Sequence, residues 1–121
     1  MEIGFIGLGK MGMNMVTRLQ RDRHRVVVYD RSPELIKQAE GIGCIAASSL
    51  ADLVGQLKAP RAVWVMVPSG APTEETVQTV ASLLQPGDTV IDGGNTRFHD
   101  DVRRAGDLKK KQIHYVDAGT S

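Results

Sequence analysis

Three glycines and one acid carry the chemistry that can be read first. Gly7, Gly9 and Gly12 lie in the run Ile3-Gly4-Phe5-Ile6-Gly7-Leu8-Gly9-Lys10-Met11-Gly12, and Asp30 follows. The apolar residues up to Ile6 read as a strand, and a helical pattern follows the glycines. Strand, tight glycine turn and helix, in that order, is what a dinucleotide pyrophosphate requires. Gly7 permits the sharp turn. Gly9 lets the backbone approach the phosphates with no Cβ in the way, and Gly12 lets the helix pack close to the strand. The first helical turn then presents unpaired N–H groups and the positive end of the helix dipole to an anion. Gly7, Leu8, Gly9, Lys10, Met11 and Gly12 thus form a candidate phosphate-binding loop.

Asp30 completes this constellation. The segment leading to Tyr29 reads as a second strand, and Asp30 sits at its carboxyl end, about 20 residues past the glycine turn, the usual distance to the adenosine ribose. A carboxylate there accepts hydrogen bonds from the 2′- and 3′-hydroxyls of NAD and repels the 2′-phosphate of NADP. Arg31 pulls the other way, because a guanidinium can pair with that phosphate. NAD is the expected cofactor, with NADP as the alternative. Asp30-Arg31-Ser32-Pro33 also reads as a turn in which Ser32 caps a helix with Pro33 at its first position. The two readings are compatible.

These residues must be held by a scaffold, and the rest of the chain describes one. Strands are expected at Glu2–Ile6, Arg25–Tyr29, Cys44–Ala46, Ala62–Val67, Thr89–Asp92 and Ile113–Asp117. Helices are expected at Met11–Arg21, Pro33–Glu40, Ser49–Leu57, Glu74–Leu84 and Phe98–Lys111. Val63-Trp64-Val65-Met66-Val67 is continuously apolar, as a parallel strand covered on both faces should be. Repeated strand–helix units argue for an α/β, Rossmann-type, doubly wound parallel sheet in a single domain, with strand order 3-2-1-4-5-6. Ligands of such sheets bind beyond the carboxyl ends of the strands. Small and polar residues gather at those ends: Gly7-Leu8-Gly9, Asp30, Pro68-Ser69-Gly70, Asp92-Gly93-Gly94-Asn95 and Gly119-Thr120-Ser121.

Composition narrows the function classes. The 121 residues carry 15 Lys and Arg against 14 Asp and Glu, a net charge of +1, so neither a nucleic-acid nor a membrane surface is indicated. The single cysteine, Cys44, reads as a small buried hydrophobe. No apolar run is long enough to span a bilayer, and the N-terminus does not read as a signal peptide. A soluble cytoplasmic protein is the default expectation. His24, His99 and His114 are scattered, with no His/Cys spacing suited to a metal. Lys109-Lys110-Lys111 reads as a solvated patch complementing a helix end.

Four segments together resemble the cofactor domain of the decarboxylating 6-phosphogluconate dehydrogenase family. They are Gly7-Leu8-Gly9-Lys10-Met11-Gly12, Met66-Val67-Pro68-Ser69-Gly70, Asp92-Gly93-Gly94-Asn95 and Asp117-Ala118-Gly119-Thr120-Ser121. The related β-hydroxyacid dehydrogenases usually carry a D-x-S-T type segment in place of D-G-G-N. The resemblance implies that Asn95 contacts both the nicotinamide end of the cofactor and the substrate. It implies that Val67, Pro68 and Ser69 line the nicotinamide ribose, and that Ser121 begins a segment binding the sugar acid. Two departures from the long, NADP-using form, Asp30-Arg31-Ser32 for N-R-T and Val67-Pro68-Ser69-Gly70 for V-K-A-G, resemble a shorter and often NAD-using subgroup.

The family continues into a large helical domain that supplies the catalytic lysine and glutamate, most phosphate-binding residues and the subunit interface. Lys10, Lys37, Lys58 and Lys109–Lys111 do not match that catalytic lysine. The expectation is therefore a cofactor-binding domain over residues 1–121, inactive alone, with no catalytic residue assignable within it. The implied whole enzyme oxidises 6-phosphogluconate to ribulose 5-phosphate with loss of carbon dioxide, as a homo-oligomer. Two alternatives stand beside it: a β-hydroxyacid dehydrogenase domain, and a non-catalytic dinucleotide-sensing module.

Overall fold

In a computed structural model of the chain, residues 2–66, 71–93 and 112–117 are described. Six strands, β1 (Glu2–Ile6), β2 (Arg25–Tyr29), β3 (Ile45–Ala46), β4 (Ala62–Val65), β5 (Thr89–Asp92) and β6 (His114–Asp117), alternate with helices α1 (Lys10–Arg21), α2 (Pro33–Gly41), α3 (Leu50–Gly55) and α4 (Ala71–Leu83). The strands form one sheet in the order β3-β2-β1-β4-β5-β6. Every pairing is parallel. This is the doubly wound order expected from the sequence, and every strand directs its carboxyl end to the same edge. The expected helix Phe98–Lys111 lies outside the described residues. Among the described residues, no helix is long and apolar enough to cross a membrane.

The period-two alternation of the strands divides the core in two. Ile3 and Phe5 of β1 and Val26 and Val28 of β2 join Leu8, Val16, Ala39 and Cys44 on one face. Ile6 and Val27 turn to the other face and meet Leu53, Val54, Leu57, Val63, Val65, Val80 and Val90. Phe5 and Trp64 lie on adjacent strands with ring centroids 6.1 Å apart and planes 7° from parallel. Cys44 is buried as expected, and burial pushes its thiol above the usual value.

Element ends differ from the sequence expectation where local chemistry intervenes. Helix α3 begins after Ser49, because the Ser49 side chain accepts the Asp52 N–H at 3.0 Å while the Asp52 carboxylate accepts the Ser48 N–H at 2.8 Å. It ends at Gly55, two residues short of the expected Leu57. Helix α4 starts at Ala71 and not at Glu74. Pro72 is no obstacle there, since the first helical turn needs no N–H from it. Ser32 occupies the N-cap of α2, with Pro33 first in the helix, but its side chain makes no capping hydrogen bond.

Candidate functional site

The β1–β2 register sets the site. Ile6 pairs with Tyr29, so the next residues of each strand, Gly7 and Asp30, emerge side by side at the carboxyl edge. The Gly7 N–H donates to the Tyr29 carbonyl at 3.0 Å. Gly7 has φ +99°, the left-handed region open to glycine and strained for other residues. That conformation turns the chain sharply from β1 into α1.

Each remaining glycine has a distinct physical reason. A Cβ at Gly12 would overlap the Gly7 carbonyl oxygen and approach Phe5 Cε1 to 3.2 Å. The third glycine therefore lets α1 rest directly on β1 and its own entry turn. A Cβ at Gly9 would meet nothing within 4 Å, and Gly9 has an ordinary extended backbone with φ −65°. The fold therefore does not need a glycine there. The space that its missing Cβ leaves open suits a phosphate.

Gly9 is also the N-cap of α1 and provides no side-chain cap. The Met13 N–H makes the first helical bond, to the Gly9 carbonyl at 2.7 Å, so the amides of Lys10, Met11 and Gly12 precede the hydrogen-bonded ladder. No acid lies in the first turn to offset the positive end of the helix. Lys10 and Met11 are exposed there. Leu8 differs: its side chain is fully buried in the core, leaving only its backbone to the site.

Asp30 is half-buried, and its carboxylate faces the loop. Oδ2 accepts the Leu8 N–H at 2.7 Å and Oδ1 accepts the Ser32 N–H at 2.8 Å. A carboxylate oxygen can accept more than one hydrogen bond, so each retains capacity for a ribose hydroxyl. Among the described residues no lysine or arginine forms an ion pair with it. Arg31 is exposed at the next position. The link between Asp30 and Leu8 was not visible in the sequence, since no local pattern marks a hydrogen bond across 22 residues.

The arrangement thus joins an uncapped helix N-terminus, a Cβ-free approach and a carboxylate with spare acceptors at one sheet edge. It suits an adenosine diphosphate moiety, so the residues present fit a dinucleotide. Of the residues singled out from sequence, Gly7, Leu8, Gly9, Lys10, Met11, Gly12, Asp30 and Arg31 are brought together here. Val67, Pro68, Ser69, Asn95 and Ser121 lie outside the described residues. The ends of β4 and β5 leading to most of these are adjacent, with Val65 paired to Asp92 and the Gly93 N–H bonded to the Val65 carbonyl at 2.9 Å.

The family described as the NAD binding domain of 6-phosphogluconate dehydrogenase matches residues 2–121. The chain belongs to that family. An NAD(+)-dependent, decarboxylating 6-phosphogluconate dehydrogenase of Haloferax volcanii is 40% identical over 121 residues, covering 100% of this chain and 40% of the relative. The Plasmodium falciparum 6-phosphogluconate dehydrogenase, solved with NADP+ and with 6-phosphogluconate, superposes with a TM-score of 0.84 at 28% identity, over 95% of this chain and 26% of that one. A 3-hydroxyisobutyrate dehydrogenase of Mycobacterium tuberculosis gives a TM-score of 0.87 at 24% identity over 96% of this chain and 39% of its own, a likeness of fold alone. The chain spans between about a quarter and two fifths of the length of curated relatives it matches.

Proposed function

We propose that the chain is the cofactor-binding portion of a 6-phosphogluconate dehydrogenase that oxidatively decarboxylates its substrate to ribulose 5-phosphate. The observation that carries this reading is the family match across residues 2–121, a range that includes the Asp92-Gly93-Gly94-Asn95 segment. NAD, when bound, supplies an acceptor for the hydride that leaves C3 of the sugar acid.

The residues of this chain bind and orient. The reading assigns the pyrophosphate to the first-turn amides of α1 and to the open space at Gly9. It assigns the adenosine ribose to Asp30, with Gly7 and Gly12 shaping the turn. Lys10 adds positive charge at the same helix end, and Met11 borders it. Val67, Pro68 and Ser69 would line the nicotinamide ribose, Asn95 would meet both nicotinamide and substrate, and Ser121 would meet the sugar acid. The base that takes the C3 hydroxyl proton, and the acid that follows, would come from a helical domain beyond these 121 residues. NAD is the preferred cofactor in this reading, because Asp30 offers acceptors to a 2′-hydroxyl and repulsion to a 2′-phosphate. The reading also carries a cytoplasmic, homo-oligomeric protein with a small-molecule substrate and no nucleic-acid or membrane partner.

Turnover by the full-length gene product tests the reading. The expected result is reduction of NAD with 6-phosphogluconate, accompanied by release of carbon dioxide. Preference for a short 3-hydroxy acid without carbon dioxide release would overturn it in favour of a β-hydroxyacid dehydrogenase. Cofactor binding with no turnover of either substrate class would favour a dinucleotide sensor.

A further inference from the structure

Two parts of the site with separate roles are physically tied. The Asp30 carboxylate accepts the Leu8 N–H at 2.7 Å from inside the glycine turn, and the Ser32 N–H at 2.8 Å from its own strand end. Leu8 stands between Gly7 and Gly9, the two residues of the turn with the most backbone freedom to lose on ordering. Its side chain is fully buried, and the Gly7 N–H is held by the Tyr29 carbonyl at 3.0 Å. The turn at Gly7-Leu8 is therefore fixed in three ways: by the buried Leu8 side chain, by the bond of the preceding peptide to β2 and by the carboxylate on the Leu8 N–H.

We infer that Asp30 is a positioning residue for the phosphate loop, which it holds through the Leu8 amide, in addition to its part at the ribose. The inference rests on the dinucleotide reading of this site. A turn built on glycines costs conformational entropy to order, and a loop ordered before the ligand arrives spares that cost at binding. The Leu8 N–H points inward to Asp30, leaving the amides at the start of α1 to face a phosphate. Two converging N–H donors require an acceptor on both sides, which a carboxylate provides. An asparagine provides one acceptor and one N–H₂, which would confront a backbone N–H. Loss of the carboxylate therefore weakens phosphate binding even though Asp30 touches no phosphate.

The test compares the protein with its D30N variant against two probes: NAD, and an NAD analogue whose adenosine ribose lacks both the 2′- and 3′-hydroxyls. The analogue removes the direct ribose contact, so any remaining effect of D30N acts through the loop. D30N is expected to weaken NAD about 100-fold and the analogue still about tenfold, the size of lost charged and loop-ordering interactions. Equal affinity of both proteins for the analogue would overturn the inference and leave the dinucleotide site standing. Failure of the unsubstituted protein to bind NAD would instead remove the reading beneath it.

A second measurement does not depend on the variant folding. In the cofactor-free protein, the Leu8 amide is expected to exchange with solvent at least about tenfold more slowly than the amides of Lys10 and Met11. Equal exchange at the three positions would also overturn the inference.

Discussion

The two edges of the sheet use carboxylates in opposite ways. At the amino edge, Asp88 precedes β5 and is 1% exposed. It accepts the Arg61 N–H at 2.6 Å, the Gln85 N–H at 2.9 Å and the Arg61 guanidinium at 3.3 Å. Burial pushes its carboxyl up, but the backbone donors of Gln85 and Arg61 and the guanidinium outweigh it and hold the group below its usual value. Glu2, at the start of β1, is likewise paired with Arg25 and accepts the Lys58 N–H at 2.6 Å. At the carboxyl edge, Asp30 is held by neutral backbone donors, and no described cation pairs with it. An acid neutralised by arginine serves the fold. Asp30, held only by two backbone N–H groups, has lone pairs left for something outside the chain.

Breaking each kind of acid should therefore have a different signature. The largest stability loss is expected at the amino edge. Asp88→Ala strands the Gln85 and Arg61 donors and should cost about 3 kcal/mol in chemical denaturation, with NAD affinity of the folded protein unchanged. Comparable affinity loss and stability loss would erase the distinction. Asp30→Asn should reverse the pattern: unfolding should shift by no more than about 1 kcal/mol, while calorimetric NAD affinity falls by roughly 100-fold.

Gly9→Ala sharpens the contrast further, because its backbone is compatible with alanine and its Cβ meets open space. Thermal stability should stay within about 0.5 kcal/mol of the parent, while NAD affinity drops by about tenfold or more through crowding of the phosphate. A Gly9→Ala protein binding NAD normally would put the pyrophosphate elsewhere. The smallest effect is in acid. The folded Asp88 binds its proton more weakly than the unfolded chain does, so its contribution is complete above the unfolded value of about 3.9 and is lost as pH falls through the lower folded value. Asp88→Asn should flatten the acid limb of a stability–pH curve, and an unaltered limb would assign acid sensitivity to other groups.

The sequence made the frame legible because its signals were local and repeated. The apolar runs at Glu2–Ile6, Arg25–Tyr29 and Thr89–Asp92 match the strands at both ends, and the strand order follows from alternating elements and crossover handedness. The glycine turn was equally readable, since φ +99° at Gly7 and the close packing at Gly12 each demand a residue without a side chain. Long-range polar ties were not readable. Nothing near Asp88 marks a partner 27 residues earlier, and nothing near Asp30 marks Leu8. The same limit explains Ser32. Its residue type and position suit a cap, yet its side chain makes no capping hydrogen bond, and the Ser32 backbone instead donates to Asp30 and accepts the Ile36 N–H at 3.3 Å.

The most direct measurement is calorimetric titration of the protein with NAD and, separately, with NADP. Saturable NAD binding, with NADP weaker by at least about tenfold as expected for a carboxylate facing a 2′-phosphate, is the predicted result. Tighter NADP binding would make Arg31 the phosphate partner and contradict the role given to Asp30. Absence of binding by either would contradict the site itself.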